Sequence, residues 1–453
     1  MNHWSTDAIF YHIYPLGLTG APQRNDFTSL PQPRLARLRN WLDHFQSLGV
    51  NAIYLGPLFE SSTHGYDTAD YFHLDRRLGD DNTLRDLVRD FHNRGMRVIL
   101  DGVFNHVGRD FWAFQDVLQN RERSAYCGWF SGLRFDSNNA YGDGLRYDDW
   151  QGHASLIKLN LSHPDVVNHL LHAVGTWIEL FEIDGLRLDA ADCVDLAFQR
   201  QLREFTSARR SDFWLMGEVV HGDYTRWANP QTLHSVTNYE CYKGLYSSLN
   251  DQNYYEIAWS LDRQFGAQGL YRDLPLYNFA DNHDVNRVAS LLKNPAHLYP
   301  LYLLLFSMPG VPSIYYGSEW GLGGEKTPIS DAPLRPALEN PQEGNHYPHP
   351  QLAAAISRLA ALRRAAPALR SGNYLQLLVR HEQLAFMRQS AQESLVVAVN
   401  SAQKPVEIDL CLPNERSGKL VDLLNPGEQF HAQNGIVRLP LPANWGRVLR
   451  VDN

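Results

Sequence analysis

The chain has 453 residues, of which 44% are hydrophobic and 20% are charged, and its formal net charge is −9. This length exceeds what one small core accommodates, so we expect two or three structural units. The negative charge argues against nucleic acid and against an anionic membrane surface as partners, because both attract basic proteins. No stretch reaches about 18 uninterrupted apolar residues, so no membrane span is predicted.

The cysteines and the first residues bear on location. Four cysteines lie far apart and show no metal-type spacing: Cys127, Cys193, Cys241 and Cys411. This usage is typical of reduced thiols in a cytosolic protein. The opening stretch, MNHWSTDAIFYHIYPLG, has no basic segment and no long apolar run, which predicts no signal peptide. We therefore expect a cytoplasmic protein.

Short apolar runs recur along the first two thirds of the chain, each bounded by Gly, Pro or Asp and separated by helix-like segments. Such runs are typical of strands buried on both faces, as in parallel sheets. Eight strands are predicted, over residues 8–17, 49–58, 95–104, 185–191, 213–220, 234–240, 274–284 and 310–319. Eight alternating strands and helices favour an α/β fold of the (β/α)8 TIM-barrel type, because right-handed crossovers close such a ring.

The helix after the third strand has a clear apolar face. Ser162 is its predicted N-cap, with Pro164 in the first turn. The residues that share the apolar face are Val167, Leu170, Leu171, Val174, Trp177, Ile178 and Phe181.

Two regions depart from the strand–helix alternation. Residues 107–157 are too long for a simple connection and rich in Gly, Asp, Asn and aromatics, which predicts a subdomain inserted after the third strand, beside the barrel mouth. Residues 371–453 contain short strands separated by turn residues, which predicts a C-terminal antiparallel β-sandwich domain. The barrel itself would comprise residues 1–106 and 158–370.

Polar side chains stand at the ends of several predicted strands. They are Asp101, Asn105 and His106 on the third, Arg187 and Asp189 on the fourth, Glu218 on the fifth, and Asn282, His283 and Asp284 on the seventh. In a β/α barrel the carboxyl ends of the strands share one rim, and chemistry occurs there. We therefore expect these side chains to converge on one pocket.

Arg187 and Asp189 carry opposite charges on one face of an otherwise apolar strand. A charge inside a barrel is costly unless it is paired, so Arg187 is predicted to hold Asp189 ionised and oriented. An ionised carboxylate suits a nucleophile, and Glu218, with a raised pKa, would complete a glycosidase pair. The alternative for the pair is an ion pair that only braces the barrel; for Glu218 it is a solvated strand end.

These motifs resemble those of the α-amylase family of glycoside hydrolases, which are (β/α)8-barrel retaining α-glucan enzymes. DGVFNH (101–106), GLRLDAAD (185–192), GEVVH (217–221) and FADNHD (279–284) are similar to its four short signatures, in order. HGYDTADYF (64–72) and KLNLSHPDV (158–166) resemble the cyclomaltodextrinase, neopullulanase and maltogenic amylase branch. The resemblance extends from about residue 8 to 340, and more loosely over the C-terminal domain.

The resemblance implies a role for each matching residue. Asp189 would be the nucleophile, Glu218 the acid/base and Asp284 the residue that holds sugar hydroxyls in the transition state. The Asp189 and Glu218 carboxyls would lie about 5–5.5 Å apart, giving retention of configuration. The implied substrate-binding residues are Tyr66, His106, Arg187, His283, Asp331 and Arg335. His221 either contacts the leaving sugar or is a loop histidine with a structural partner.

Three departures and ambiguities qualify the resemblance. Many α-amylases have Lys-His where Asp192 and Cys193 stand here, and this histidine usually helps to bind calcium, so a structural calcium ion is possible but not supported. We expect no cofactor and no metal, and Asn105 is either a calcium ligand or, as we favour, a structural asparagine. The branch usually has an extra N-terminal domain that builds its dimer; this sequence starts directly at the first predicted strand, so that mode of dimerisation is not assumed, and a homodimer stays open. Aromatic residues of the insertion either form its core or stack on glucose: Trp112, Trp129, Tyr141, Tyr147 and Trp150.

We therefore expect a retaining glycoside hydrolase that cleaves mainly α-1,4-glucosidic bonds in maltooligosaccharides or cyclic α-glucans by double displacement. A transglycosylase or isomerase would use the same three carboxylates. Two further alternatives are a non-catalytic barrel that binds sugar or a partner, and a metal-dependent hydrolase. A non-catalytic barrel would lack at least one catalytic carboxylate, but all three are present. A metal-dependent hydrolase would show a His-x-His or carboxylated-lysine pattern on an early strand, and the sequence shows none.

Overall fold

The barrel prediction is confirmed by the computed structural model, which describes residues 3–413 and 417–452, the side chains of residues 343–345 excepted. Within the described residues, eight strands form one parallel sheet. They are Phe10–Ile13, Ala52–Leu55, Arg97–Gly102, Gly185–Leu188, Trp214–Gly217, Ser235–Val236, Tyr277–Phe279 and Val311–Tyr315. The ring closes where Thr237 bridges Tyr277 and the Asn238 N–H donates to the Tyr277 carbonyl at 2.9 Å.

Large side chains fill the barrel interior. Phe10 and Trp214 stack at a ring-centroid distance of 5.2 Å, and Tyr54, Ile99 and Tyr277 are buried in the same cluster. A filled interior leaves no pore, so polar groups meet above this layer, at the carboxyl ends of the strands.

Helices and their caps surround the sheet. The α-helices of the barrel region are Pro15–Leu18, Leu42–Ser47, Asp81–Asn93, Pro164–Phe181, Leu196–Arg209, Tyr239–Asn250, Tyr255–Phe265, Val288–Leu291, Leu298–Ser307, Leu352–Ala365 and Pro367–Ser371. The predicted N-cap Ser162 is wrong by one residue: the His163 ring nitrogen accepts from the Asp165 N–H at 3.3 Å. The predicted apolar face of this helix is buried, with Leu171 and Ile178 partly so.

The sixth strand is much shorter than predicted. Only Ser235–Val236 are extended, and Tyr239 and Glu240, which the sequence placed on this strand, begin the helix Tyr239–Asn250. The physical reason is a cap, since the Asn238 side chain accepts from the Cys241 N–H at 3.2 Å and starts a helix. Tyr239 is thereby lifted to the rim of the barrel.

The insertion after the third strand is a small antiparallel unit. Its sheet joins His106–Gly108, Asp149–Trp150 and His153–Lys158, and its helix is Trp112–Asn120. The hairpin turn uses Gln151 and Gly152, both at positive φ. Because the sheet starts at His106, the insertion grows directly out of the rim.

The C-terminal domain is a two-sheet sandwich. Its larger sheet contains Asn373–Val379, Gln383–Gln389, Ser394–Asn400, Gly418–Asp422, Gln429–Ala432 and Trp445–Asp452, and its smaller sheet pairs Val406–Cys411 with Ile436–Leu441. Met387, Val396, Ile408 and Leu439 are buried between them. In the described part of the chain no helix is long and apolar enough to cross a membrane.

A buried aspartate ties the third and fourth strands together at the opposite end of the barrel. Asp184 is fully buried and accepts from the Val98 N–H at 2.7 Å and from Arg97 at 2.6 Å; His92 and Arg210 also contact it. Burial would raise the pKa of Asp184, but these donors outweigh burial and lower the pKa.

Replacing Asp184 by asparagine is expected to cost about 3 kcal/mol of the free energy of unfolding, since it removes the buried negative charge that Arg97, Arg210 and His92 contact. A lowered pKa in the folded state stabilises above the unfolded pKa, so in the parent this contribution is lost as pH falls below about 4. Thermal unfolding at pH 7 and at lower pH measures both effects. Asp184→Asn should unfold at lower temperature and vary less with acid, whereas the exposed control Asp273→Asn should match the parent.

Candidate active site

Arg187 contacts three carboxyl groups where the third, fourth and fifth strands of the barrel end. Arg187 Nη1 donates to Asp101 Oδ1 at 2.9 Å and to Asp189 Oδ1 at 3.0 Å. Arg187 Nη2 lies 2.8 Å from Glu218 Oε2. The Arg187 side chain is only 3% exposed, so these contacts form away from bulk water. Asp101 lies 86 residues before Arg187 in the sequence, so the fold brings these side chains to one point.

Opposing influences act on the pKa of Asp189. Burial raises the pKa of Asp189 well above its usual range; Arg187 opposes this shift, whereas the nearby Glu218 and Asp101 reinforce it. The sequence predicted that Arg187 would keep Asp189 ionised and oriented, and Arg187 does contact Asp189 and lower its pKa. Burial acts in the opposite direction, because it disfavours the charged form, and the same guanidinium is shared with two other carboxyl groups.

Glu218 has different partners on its two oxygens. Oε2 accepts from the Ala190 N–H at 3.1 Å as well as facing Arg187. Oε1 accepts from the Tyr239 hydroxyl at 3.2 Å. Ala190 adopts a positive φ of 43°, which turns the chain after Asp189 so that its N–H reaches Glu218. The two acids are therefore joined through backbone as well as through Arg187.

His106 faces Asp189 from the insertion. Its Nε2 lies 3.9 Å from Asp189 Oδ2 and has no hydrogen-bond partner within the described structure, although the atom is buried. The Asn105 amide approaches His106 Nδ1 at 3.2 Å. Burial lowers the pKa of His106 to about 3. A neutral ring with Asn105 on Nδ1 presents an Nε2–H donor toward the acids.

Tyr66 and His283 form a stacked pair beside the acids. Their rings lie 5.5 Å apart with an interplanar angle of 8°, and the Tyr66 hydroxyl contacts His283 Nε2 and also Asp101 Oδ2, the latter at 3.0 Å. The Tyr14 ring also lies nearly parallel to His283, with the ring centroids 5.8 Å apart. Both Tyr66 and His283 are buried, and Tyr66 borders the open cavity.

A second arginine holds the third predicted catalytic acid. Arg335 Nη2 donates to Asp284 Oδ1 at 2.9 Å and to Asp331 Oδ2 at 3.2 Å, and Lys326 lies 3.1 Å from Asp331 Oδ1. His283 Nε2 is 2.9 Å from Asp284 Oδ2. Burial would raise the pKa of Asp284, but the contacts with His283 and Arg335 outweigh it and lower the pKa.

These groups line one cavity of about 670 Å³, a size that suits a small ligand. Of the predicted site residues, Tyr66, His106, Asp189, Glu218, His221, Asp284, Asp331 and Arg335 line it. His221 is exposed there, while Arg187 and His283 lie behind the wall and contact the lining carboxyls. The structure thus brings all the predicted residues to one place.

The insertion contributes one aromatic side chain to the cavity. Trp150 lines it, with its ring 5.8 Å from His106 and stacked on His153 at 5.5 Å. Trp112, Trp129 and Tyr147 pack within the insertion, and Tyr141 is 52% exposed beside Arg109. The two interpretations of these aromatics therefore apply to different residues.

Several cavity residues were not predicted from sequence. They are His64, Gln151, His153, Leu156, Ala190, Asp192, Val220, Tyr239, Val285 and Lys326. Tyr239 had a usable signal, because Asn238 two residues after an extended segment matches a helix N-cap. For the others, the position depends on loop paths that no local pattern encodes.

The residues near the cavity do not fit a metal ion. Among the described side chains no group of three or more His, Cys, Asp and Glu residues is arranged to hold one. Asn105 contacts His106, and its buried Oδ1 has no hydrogen-bond partner among the described residues. The expected absence of a metal and of cofactors stays a prediction.

Comparison with known proteins shows which family the chain resembles. Residues 35–348, more than half of it, match the family described as "Alpha amylase, catalytic domain". A cyclomaltodextrinase from a Bacillus species is 33% identical over 92% of this chain and 76% of that protein. An intracellular maltogenic amylase from Bacillus subtilis strain 168 is 30% identical over 92% of this chain and 73% of that protein.

A solved structure has the same architecture. The cyclic α-maltosyl-(1→6)-maltose hydrolase from Arthrobacter globiformis, in complex with cyclic α-maltosyl-(1→6)-maltose, aligns with a TM-score of 0.83 at 28% identity, covering 99% of each chain. The chain belongs to the α-amylase family of glycoside hydrolases.

Proposed function

We propose that the protein hydrolyses α-glucosidic bonds, mainly α-1,4, in maltooligosaccharides or cyclic α-glucans, with retention of configuration. The observation that carries the proposal is the pair of carboxyl groups on Arg187, Asp189 on one nitrogen and Glu218 on the other, at the wall of a sugar-sized cavity. Relatives named cyclomaltodextrinase and cyclic α-maltosyl-(1→6)-maltose hydrolase support the substrate class.

The proposed reaction has two displacements. Asp189 attacks the anomeric carbon while Glu218 gives its proton to the leaving oxygen; water, activated by the Glu218 carboxylate, then releases the glycosyl group from Asp189. A proton on Glu218 removes one of the negative charges that raise the pKa of Asp189, so this protonation state favours an ionised nucleophile. The carboxyl separation of about 5–5.5 Å stays a prediction.

The surrounding residues would bind and orient the glucosyl unit. Asp284, held ionised by His283 and Arg335, accepts hydrogen bonds from sugar hydroxyls and favours the positively charged transition state. His106 donates from Nε2, and Tyr66 offers its ring at the cavity wall. Asp331 and Arg335 receive the next sugar on the non-reducing side, and His221 contacts the leaving sugar.

A substrate panel tests the proposal. The protein is incubated with maltose, maltotriose, pullulan, cyclodextrins and branched cyclic tetrasaccharides, and products are identified with their anomeric configuration. Shorter α-configured sugars as first products are expected. Longer or isomeric sugars at high substrate concentration would instead indicate a transglycosylase or isomerase, and no turnover of any α-glucan would contradict the proposal.

Trp150 is expected to stack on a glucosyl ring, because it lines the cavity beside His106. Trp150→Ala should raise KM for maltooligosaccharides about 3- to 10-fold, in keeping with about 1 kcal/mol for an aromatic contact, while kcat changes less. Trp150→Phe should restore much of the loss. The control Trp112→Phe alters an aromatic residue inside the insertion and should leave KM unchanged; equal KM in Trp150→Ala and the parent would count against stacking.

We also propose a cytoplasmic location. All four cysteines are free in the structure, and one relative is named an intracellular maltogenic amylase. Cell fractionation with an antibody tests it, and recovery from the culture medium would overturn it. A homodimer stays open, and sedimentation of the purified chain decides that question.

A further inference from the structure

We propose that Tyr239 is a positioning residue for Glu218: its hydroxyl fixes which carboxyl oxygen carries the transferable proton and stabilises that oxygen as the proton leaves. This inference rests on the proposed role of Glu218 as acid/base. Tyr239 lies outside the sequence motifs and begins the helix Tyr239–Asn250, so it reaches the acid from a different element than Arg187.

The direction of the Tyr239 hydroxyl proton follows from its neighbours. The Asn282 amide donates to the Tyr239 oxygen at 3.2 Å, so this oxygen already accepts one hydrogen bond. Its own proton is then free to point to Glu218 Oε1, which lies 3.2 Å away. Asn282 itself is held by its turn, since its Oδ1 accepts from the Asp284 N–H at 2.8 Å.

The two oxygens of Glu218 consequently differ. Oε2 faces two N–H donors, Arg187 Nη2 and the Ala190 N–H, and a proton on that oxygen would meet them head-on. Oε1 accepts from one hydroxyl group, that of Tyr239, and Glu218 lines the open cavity. The transferable proton therefore resides on Oε1, the oxygen that Tyr239 contacts.

The contact strengthens during bond cleavage. As the bond between the anomeric carbon and the glycosidic oxygen breaks, its electron pair stays on the oxygen, the Oε1 proton moves there, and an Asp189 oxygen bonds to the carbon. Glu218 becomes a carboxylate, and a hydrogen bond to a charged acceptor is about twice as strong as one to a neutral acceptor. Tyr239 thus stabilises the transition state more than the ground state.

The ring of Tyr239 is braced for this task. It packs edge-on against Phe279 at 5.0 Å and against Tyr242 at 6.0 Å, which hold the phenol in place without its hydroxyl. Tyr239→Phe therefore removes the hydroxyl group alone. Tyr242, one turn further along the same helix and stacked on Phe279 at 5.1 Å, is the matched control as Tyr242→Phe.

The test compares leaving groups. Tyr239→Phe is expected to lower kcat/KM for maltotriose about 10- to 30-fold, with KM changed less than about 2-fold, because a hydrogen bond to a charged group is lost. For nitrophenyl α-maltoside, whose phenolate leaves with little protonation, the loss should stay below about 3-fold. Tyr242→Phe should resemble the parent on both substrates.

Glu218→Gln, measured on the same two substrates, distinguishes a failure of the role of Tyr239 from a failure of the acid/base role of Glu218. If Glu218→Gln spares nitrophenyl α-maltoside but Tyr239→Phe lowers both substrates equally, or lowers neither, the inference on Tyr239 is overturned while the proposed function stands. If Glu218→Gln lowers both substrates equally, the acid/base role of Glu218 itself fails, and with it the proposed function.

Discussion

Asp189→Asn is expected to lower kcat/KM on maltooligosaccharides by at least about 10⁴-fold, that is, by at least about 5 kcal/mol of barrier. Asparagine keeps the shape and the hydrogen bond that Arg187 donates to Oδ1. It replaces the carboxylate, whose oxygen forms the covalent bond, by an amide, which is a poor nucleophile. A loss of this size therefore reports chemistry rather than misfolding.

A matched surface variant and a labelling experiment test the role of Asp189. Asp273→Asn changes an exposed aspartate in the same way and should retain full activity, and the thermal unfolding temperatures of the two variants should be compared. Mass spectrometry of the parent, quenched during turnover of a maltosyl fluoride, should find the glycosyl group on the peptide that contains Asp189. Activity of Asp189→Asn within about tenfold of the parent, or a label on another peptide, would show that the nucleophile is a different group.

Removing the Glu218 carboxyl group should give a loss that depends on the substrate. Glu218→Ala is expected to lower kcat/KM on maltotriose about 10³-fold, because a sugar leaving group needs a proton. On maltosyl fluoride the first step should persist, since fluoride leaves more readily. The second step should then be slow for lack of a base.

Added azide provides the decisive measurement for Glu218. Azide needs no base, so it should accelerate Glu218→Ala on maltosyl fluoride and yield the α-azide, with retained configuration. The parent should not respond to azide. An azide product of inverted configuration would assign the nucleophile role to position 218 and reverse the two acids.

The barrel and its acids were predictable because two local signals coincide. Eight apolar runs of strand length are readable in sequence, and parallel strands bring their carboxyl ends to one rim, so Asp189, Glu218 and Asp284 had to meet. The sequence did not predict that Arg187 is shared among three carboxyl groups. Its contact with Asp101 joins residues 86 positions apart and depends on the order and register of the strands. The pKa of Asp189, which burial raises most, depends in part on this arrangement and was not predictable either.

Short-range errors had short-range causes. Ser162 and His163 are both competent caps, and only the backbone decides which ring or hydroxyl reaches the Asp165 N–H. The run 234–240 is strand-like in composition, yet Asn238 ends it and starts a helix. The aromatics of the insertion were ambiguous because composition does not distinguish Trp150, at the cavity, from Trp129, which is 6% exposed in the subdomain.

The hairpin of the insertion shapes the cavity wall but supplies none of the three acids. His106 opens one strand of that small sheet and pairs with Lys158, while Trp150 and His153 flank the turn at Gln151 and Gly152, at the other end of the neighbouring strand. We therefore expect changes in the length or composition of the turn at Gln151 and Gly152 to reshape the cavity wall while the sheet still anchors His106. Such changes would alter which glucans enter and leave the acids beneath in place.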